Sequence, residues 1–331
     1  MVSLAFATGG ALENMQEEII ALVPVLLILV RRMGFTPLTA VAMSAGAAFV
    51  GSAFSPINPF QVQIAQKLAE VPLLSGWAYR IVFLALALAL WIGATMRHAR
   101  RTRVPPEAAA AGAVEEPMTG RDRAIFAAVA ATFGVLVYGL MRLGWDFDHL
   151  SALFFVMGVA VGLFGGLGVG GTAEAYVKGF RDMAYAAVLI GFARAIFVVL
   201  DQGRVVDTIV HGMFTPVADL PVALSALGMM VAHGLVHVPV PSVSGQAVLT
   251  MPVLVPLSDL LGLSRQVTIL AYHYGAGLMD LITPTNGALM AILAAGGVDY
   301  QAWLRFAARW YAALMALGAV AVVLAIAIGL Q

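Results

Sequence analysis

The sequence contains no cysteine, only three asparagines among 331 residues, and only 11% charged side chains. The missing thiols exclude disulfides and thiolate metal centres. The shortage of charge excludes more. Soluble domains carry about a quarter charged residues, and a chain that is 61% hydrophobic has too little polar surface to shield its apolar content from water. A lipid bilayer removes that need, because lipid solvates the apolar outside of the protein. The charges balance, eighteen Lys and Arg against eighteen Asp and Glu, so no field of one sign points to nucleic acid. Residues 1–14 have no basic region ahead of their apolar stretch, which breaks at Gly9-Gly10, so they do not read as a secretory signal. Gly166–Gly171 has the look of a nucleotide loop but follows no strand, and nothing else supports ATP-driven pumping.

Apolar runs long enough to cross a bilayer fall at 36–56, 78–96, 124–142, 150–171, 184–200, 218–236, 266–283 and 306–330. Two shorter runs, 19–30 and 246–257, lie beside Gly-, Pro- and Ser-rich breaks and read as half-helices of re-entrant hairpins. Residues 97–123 begin with a cluster of arginines and continue through Ala, Pro and Glu, which predicts a polar linker on the cytoplasmic side. The segment 143–149 suits the opposite side, 172–183 reads as a short amphipathic helix, and 201–217 lies along the outer surface. Gly158, Gly162, Gly166 and Gly170 recur at every fourth position, a pattern for close helix packing.

A displacement of 228 residues pairs Pro24 with Pro252, Gly34 with Gly262, Pro56 with Pro284, Asn58 with Asn286 and Ile64 with Ile292 without a gap. Two of the three asparagines thus match each other, each two residues after a matched proline. With a short gap, Trp77 and Arg80 answer Trp303 and Arg305. Each copy contains a polar break, a half-helix, a charged turn, an apolar run and a Pro-x-Asn interruption. Proline removes a helical hydrogen bond and clashes with the preceding turn. Unwound backbone at membrane depth is tolerated only where protein or a cavity surrounds it. With the arginines placed inside, and 218–236 taken as a hairpin limb, the two copies are inverted. The fold expected is therefore all-α integral membrane, an inverted-repeat secondary transporter with re-entrant hairpins and two broken helices. Its parts are 1–96, a first-repeat transport part; 97–123, the linker; 124–217, second-repeat scaffold spans and amphipathic helix; and 218–331, second-repeat hairpin, broken helix and last span.

Two blocks resemble the YfcC-type carriers, relatives of the anaerobic C4-dicarboxylate carriers within the ion-transporter superfamily. One is Ser55-Pro56-Ile57-Asn58-Pro59-Phe60 with Ile64-Ala65-Gln66 and Pro72-Leu73-Leu74-Ser75-Gly76. The other is Pro241-Ser242-Val243-Ser244-Gly245-Gln246-Ala247 with Ser264-Arg265-Gln266-Val267 and Thr283-Pro284-Thr285-Asn286-Gly287-Ala288-Leu289-Met290. The resemblance covers nearly all of the chain except the linker. It implies a multi-pass protein of the bacterial plasma (inner) membrane, with hairpin tips and Pro-x-Asn loops that jointly bind a small-molecule substrate and a coupling cation. It also implies scaffold-mediated homodimers. The family's labels divide between dicarboxylate uptake and basic amino-acid antiport. Compared with the family plan, Met1 falls inside the first hairpin limb, and nothing upstream answers 124–228. Either the start is misassigned or the chain is a fragment, and the expectation is that about four further apolar segments are encoded upstream in frame; independent transport is not expected of a true fragment.

Candidate binding residues follow from the two tips and two breaks. The second tip offers Ser242, Ser244, Gly245 and Gln246, and the register sets Asn14, Gln16, Glu17 and Glu18 at the first. These residue types also cap helices. Ser55, Asn58, Thr283, Thr285 and Asn286 supply oxygens at the breaks, for Na+ or for backbone groups that the prolines release. Charges inside apolar runs are expensive. Asp280 is either a cation ligand or proton carrier, or a paired buried acid. Arg194 grips a carboxylate or locks the scaffold, with the structural role favoured. Glu17 and Glu18 carry the proton if coupling is to H+. His233 and His237 have the spacing of a zinc pair but lack the intervening Glu, so interfacial histidines are the favoured reading. His273 reads as a packing residue. No organic cofactor or firm metal is expected. The best reading is a cation-coupled, alternating-access carrier of small charged metabolites, C4-dicarboxylates first and basic amino acids as the alternative, with no enzymatic activity. A channel is the competing class.

Overall fold

The computed structural model describes all residues except 107–118, 140–142, 144, 146, 206–207, 209–211, 213–214 and 218–219. Side chains are also undescribed at 133, 136–137, 147, 150, 182–183, 185–187, 189–194, 196–197 and 200–201, so the reading of Arg194 lies outside the described residues.

Two compact units emerge. One comprises Met1–Glu107 and Tyr185–Gln331, and the other Ala108–Ala184. In the first, α1 (Val2–Glu13) ends on Asn14 in the left-handed conformation, φ 56°, and α2 (Glu18–Arg32) follows a four-residue tip. The helix α3 (Pro37–Ala53) leads to the first break, and a π-helical turn (Pro59–Gln63) opens α4 (Ile64–Leu68). The long helix α5 spans Trp77–Arg101. The smaller unit holds α6 (Gly120–Tyr138), α7 (Phe147–Phe164) and the start of α8 (Gly168–Gln202). Then come α9 (Val222–Val236), α10 (Val243–Leu260), α11 (Arg265–Met279), the second break, α12 (Gly287–Ala295) and α13 (Tyr300–Ala327). All elements among the described residues are helical. By length and composition α5, α10 and α13 can cross a membrane, and the stretches Pro37–Ala53, Ser151–Phe164 and Val222–Val236 are shorter apolar helices.

Two expectations need correction. The run 246–257 is not a half-helix too short to span, since its apolar pattern continues over α10, Val243–Leu260, which is long and apolar enough to cross a membrane. Residues 172–183 and 184–200 are not an amphipathic helix followed by a separate span, but parts of the single helix α8. No proline or positive-φ residue interrupts them, so nothing forces a break where polarity changes. The four spaced glycines divide. A Cβ on Gly158 or Gly162 would strike Tyr176 or Thr172, which is close packing, whereas Gly166 supplies a turn at φ 76° and Gly170 meets nothing.

Within the larger unit the helix contacts repeat. α1 packs on α3 as α9 packs on α11; α2 touches α3 and α12 as α10 touches α11 and α4; and α3 and α5 meet as α11 and α13 do. Further contacts, α3 with α11 and α5 with α13 among them, join the two sets. The matched residues do not all share environments. Trp303 and Arg80 are buried, while their partners Trp77 and Arg305 are exposed.

The α1–α3 crossing depends on small residues. A Cβ on Gly10 would lie 2.1 Å from the Ala48 carbonyl oxygen, and one on Gly51 would lie 2.2 Å from that of Ala7. In a bilayer such close approach supplies the packing that holds helices together. Gly51→Val should therefore cost about 1–3 kcal/mol through overpacking, read as a lower melting temperature of the purified protein. Gly93→Val, at a position where a Cβ meets nothing within 4 Å, should melt near wild type.

Candidate functional site

Both breaks are stabilised by their own side chains. At the first, the backbone N–H groups of Ile57 and Asn58 donate to Ser55 Oγ (3.1 and 2.8 Å), whose hydroxyl donates to the Ala11 carbonyl (2.6 Å). Asn58 Oδ1 accepts from the Phe60 and Gln61 N–H groups, both at 2.9 Å. At the second break, Asn286 Oδ1 accepts from Leu289 N–H (2.9 Å). The carbonyl groups released there are taken up from α13: Trp303 Nε1 donates to Leu281 (2.7 Å), and the Tyr300 hydroxyl donates to Ile282. With each asparagine oxygen engaged by backbone, its amide N–H2 is the end presented to the site, and the capping bond fixes that orientation.

Asn58 Nδ2 donates to the Gly10 carbonyl (3.0 Å) and Ser52 Oγ (3.2 Å). Asn14, at the first tip, accepts through Oδ1 from the Ser52 hydroxyl, from Gln61 Nε2 and, at 3.5 Å, from Gln16 Nε2. Gln16 Nε2 also donates to Asp280 Oδ2 at 3.0 Å, which joins the first tip to the second break. Asp280 Oδ1 accepts from Asn286 Nδ2 (2.6 Å) and meets His237 Nε2 at 3.0 Å. His237 Nδ1 faces Gln246 Oε1 (3.2 Å), and Gln246 Nε2 reaches His233 Nδ1 (2.9 Å) and the His233 carbonyl (2.8 Å). At the other end, His273 Nε2 lies 3.0 Å from Gln61 Oε1 and 2.9 Å from the Ser52 carbonyl, and Arg80 Nη1 lies 3.2 Å from His273 Nδ1. One buried network thus runs from Arg80 to His233 through both tips and both breaks. Such a network is rigid when its members are satisfied and costly when one is removed.

Of the anticipated residues, Asn14, Ser55, Asn58, Gln246, Asp280 and Asn286 meet in this network or brace it directly. Ser242 caps α10, accepting from the Gly245 N–H at 3.2 Å. Ser244 and Gly245 are half-buried beside it. Thr283 and Thr285 pair at 2.8 Å, and Thr285 donates to the Val238 carbonyl (2.8 Å), tying the second break to the second tip. Glu18 caps the first tip by accepting from the Gln16 N–H at 3.0 Å, and Glu17 is exposed. His233 and His237 are both fully buried rather than interfacial. No group of three His, Asp or Glu side chains among the described residues could hold a metal.

His273 is not a packing residue but a hydrogen-bonded junction. Ser52, Gln61 and Arg80 were not legible as site residues, because their roles depend on α3, α4 and α5 converging on α11. The one signal available was that a glutamine and an arginine stood in apolar surroundings.

A family model described as "DcuC: C4-dicarboxylate anaerobic carrier" matches residues 1–327. The chain belongs to the DcuC family. It is accordingly a membrane protein of a transport family and not an enzyme. The chain is 32% identical to YfcC of Escherichia coli (strain K12), over 97% of its own length and 68% of that protein's. YfcC bears a provisional name as a basic amino acid antiporter. The chain is also 27% identical to an uncharacterized Haemophilus influenzae protein, covering 99% of itself and 67% of that relative. In fold, this DcuC-family chain is similar to the Alcanivorax borkumensis YdaH transporter, with a TM-score of 0.58 at 16% identity over 99% of this chain and 78% of the other.

Proposed function

We propose that this DcuC-family protein is an alternating-access secondary carrier of small carboxylate-bearing metabolites, built as an inverted repeat in the bacterial inner membrane. The observation that carries this reading is the single buried network in which two hairpin tips and two Pro-x-Asn breaks meet. The exchange of helix contacts between residues 1–101 and 222–327 supports a two-fold relation between the halves, the usual construction of such carriers. The tips and breaks supply the binding groups: Asn14, Asn58 and Asn286 with the backbone around Ser55, Ser242, Ser244, Gly245, Thr283 and Thr285. C4-dicarboxylates are the first substrate class. Basic amino acids are the second, favoured by Asp280, the one buried carboxylate among the described residues. A homodimer in the bilayer is part of the reading.

Coupling is assigned to H+ at His237 and Asp280. The bond from Gln246 Nε2 to the His233 carbonyl turns Gln246 Oε1, a pure acceptor, toward His237, so His237 Nδ1 carries a hydrogen. The contact between Nε2 and Oδ1 then needs one further proton, on either partner. The pair therefore holds a proton as long as the second tip stays against the second break. Separation of the second tip from the second break would part Nε2 from Oδ1 and free the proton they share. The titratable groups within electrostatic reach of the pair are Glu17, exposed on the first tip, His233 from α9 and Tyr272 from α11. The asparagine oxygens that would have served Na+ are occupied by backbone N–H groups.

The test is uptake of labelled succinate, then arginine, by proteoliposomes under a pH gradient or a Na+ gradient alone. Accumulation above equilibrium with the pH gradient in Na+-free buffer is expected. Accumulation that needs Na+ and ignores pH would remove the coupling assignment, and no uptake of either substrate class would remove the carrier reading.

A further inference from the structure

Among the described side chains, Arg80 is the only buried arginine or lysine, at 1% exposure. Among the described residues its hydrogen-bond partner is His273 Nδ1. The other ring nitrogen, Nε2, faces two acceptors, the Ser52 carbonyl and Gln61 Oε1, the latter turned this way because Gln61 Nε2 donates to Asn14. His273 is therefore the neutral Nε2–H tautomer and accepts from Arg80 through Nδ1. A guanidinium stays protonated in proteins, so its positive charge is met by a neutral ring. None of the ion pairs among the described residues includes Arg80.

The neighbourhood is poorly satisfied as well. Arg80 Nη2 is buried without a hydrogen-bond partner, as are the Tyr274 hydroxyl and Gln266 Oε1 on α11. Tyr272 and Tyr274 both lie within electrostatic reach of Arg80; the Tyr272 hydroxyl is spent on the Val243 carbonyl, whereas the Tyr274 hydroxyl has no partner. Arg80 also stands in the first turn of α5, one turn beyond Gly76, where the helix dipole disfavours a cation. Burial, an uncompensated charge and the wrong helix end each work against stability. A fold gains nothing from such an arrangement by itself, whereas a site that must attract an anion does.

We infer that Arg80 receives the carboxylate of the transported substrate, with the Tyr274 hydroxyl as a second donor. The planar fork of Nη1 and Nη2 suits a carboxylate, and the position is one imidazole away from Gln61, Ser52 and the first break. The inference rests on the carrier reading and deepens it. It holds for a dicarboxylate or an α-amino acid, since both bring a carboxylate. Its repeat counterpart Arg305 is exposed, so the anion site belongs to one half of the molecule.

The test combines thermal unfolding of purified Arg80→Gln with transport by Arg80→Lys. Without substrate, Arg80→Gln should melt at or above the wild-type temperature, because an unpaired buried charge has been removed. Its rise in melting temperature with succinate or arginine should be lost. Arg80→Lys keeps the charge without the fork, so KM should rise on the order of tenfold with Vmax little changed. A ligand-induced rise retained in Arg80→Gln, or an unchanged KM in Arg80→Lys, would make Arg80 a packing residue and overturn the inference while the carrier reading stands. A wild type that neither shifts with substrate nor transports it would remove both.

Discussion

Asn286→Asp is expected to lower exchange roughly 10- to 100-fold, the equivalent of the about 1.5–3 kcal/mol carried by a hydrogen bond to a charged group. Aspartate caps a helix as well as asparagine, so the bond to Leu289 N–H survives and α12 keeps its start. What changes is the other end of the side chain. Asn286 Nδ2 donates to Asp280 Oδ1 at 2.6 Å, and a carboxylate there sets two acids against each other. They cannot both be ionised at that distance. Asn286→Ser, also a good cap, keeps the helix start without the repulsion and should retain more activity than Asn286→Asp. Exchange kinetics in proteoliposomes, with folding checked by melting temperature, distinguish the two. Equal activity in wild type and Asn286→Asp would detach the second break from transport.

The second large effect is expected at Asp280. Asp280→Asn keeps the volume and can still bond Gln16, but the proton held with His237 has lost its acid. Accumulation driven by a pH gradient should collapse to equilibrium levels, a loss of tenfold or more in any preparation where wild type concentrates substrate roughly tenfold, about 1.4 kcal/mol of gradient energy. Asp280→Leu should also destabilise the fold by about 3–5 kcal/mol, since it leaves the groups around the lost carboxylate buried and unpaired. Uptake under the pH gradient, scored beside melting temperature, separates uncoupling from unfolding. Asp280→Asn that still concentrates substrate with the pH gradient would move the coupling site elsewhere.

Much of the architecture could be read from rare residues. Three asparagines, two of them matched across 228 positions, located both breaks and one tip. Proline chemistry explained why the helices stop there, since loss of a backbone donor is a local event. The capping roles of Ser55, Ser242 and Glu18 were legible for the same reason. The network was not. Gln16 reaches Asp280 across 264 positions, and Gln61 and Arg80 reach His273 across 212 and 193. No periodicity or motif encodes which buried glutamine meets which carboxylate once five helices converge. The end of an asparagine that faces the site is also fixed only by the capping geometry. Residue types alone left open which end of each break asparagine faces the site, and the folded chain turns the amide hydrogens of Asn58 and Asn286 there. The unbroken α8 was misread for a different reason, because a change in polarity along a helix does not require a change in backbone.

Counterflow by the purified protein in proteoliposomes, with unlabelled succinate or arginine inside and the labelled compound outside, tests the account most directly. The prediction is saturable entry of label against no net gradient, accelerated by substrate on the inner side and strongly reduced in Asn286→Asp. Entry that rises linearly with concentration and ignores internal substrate, or no entry of either compound, would contradict it.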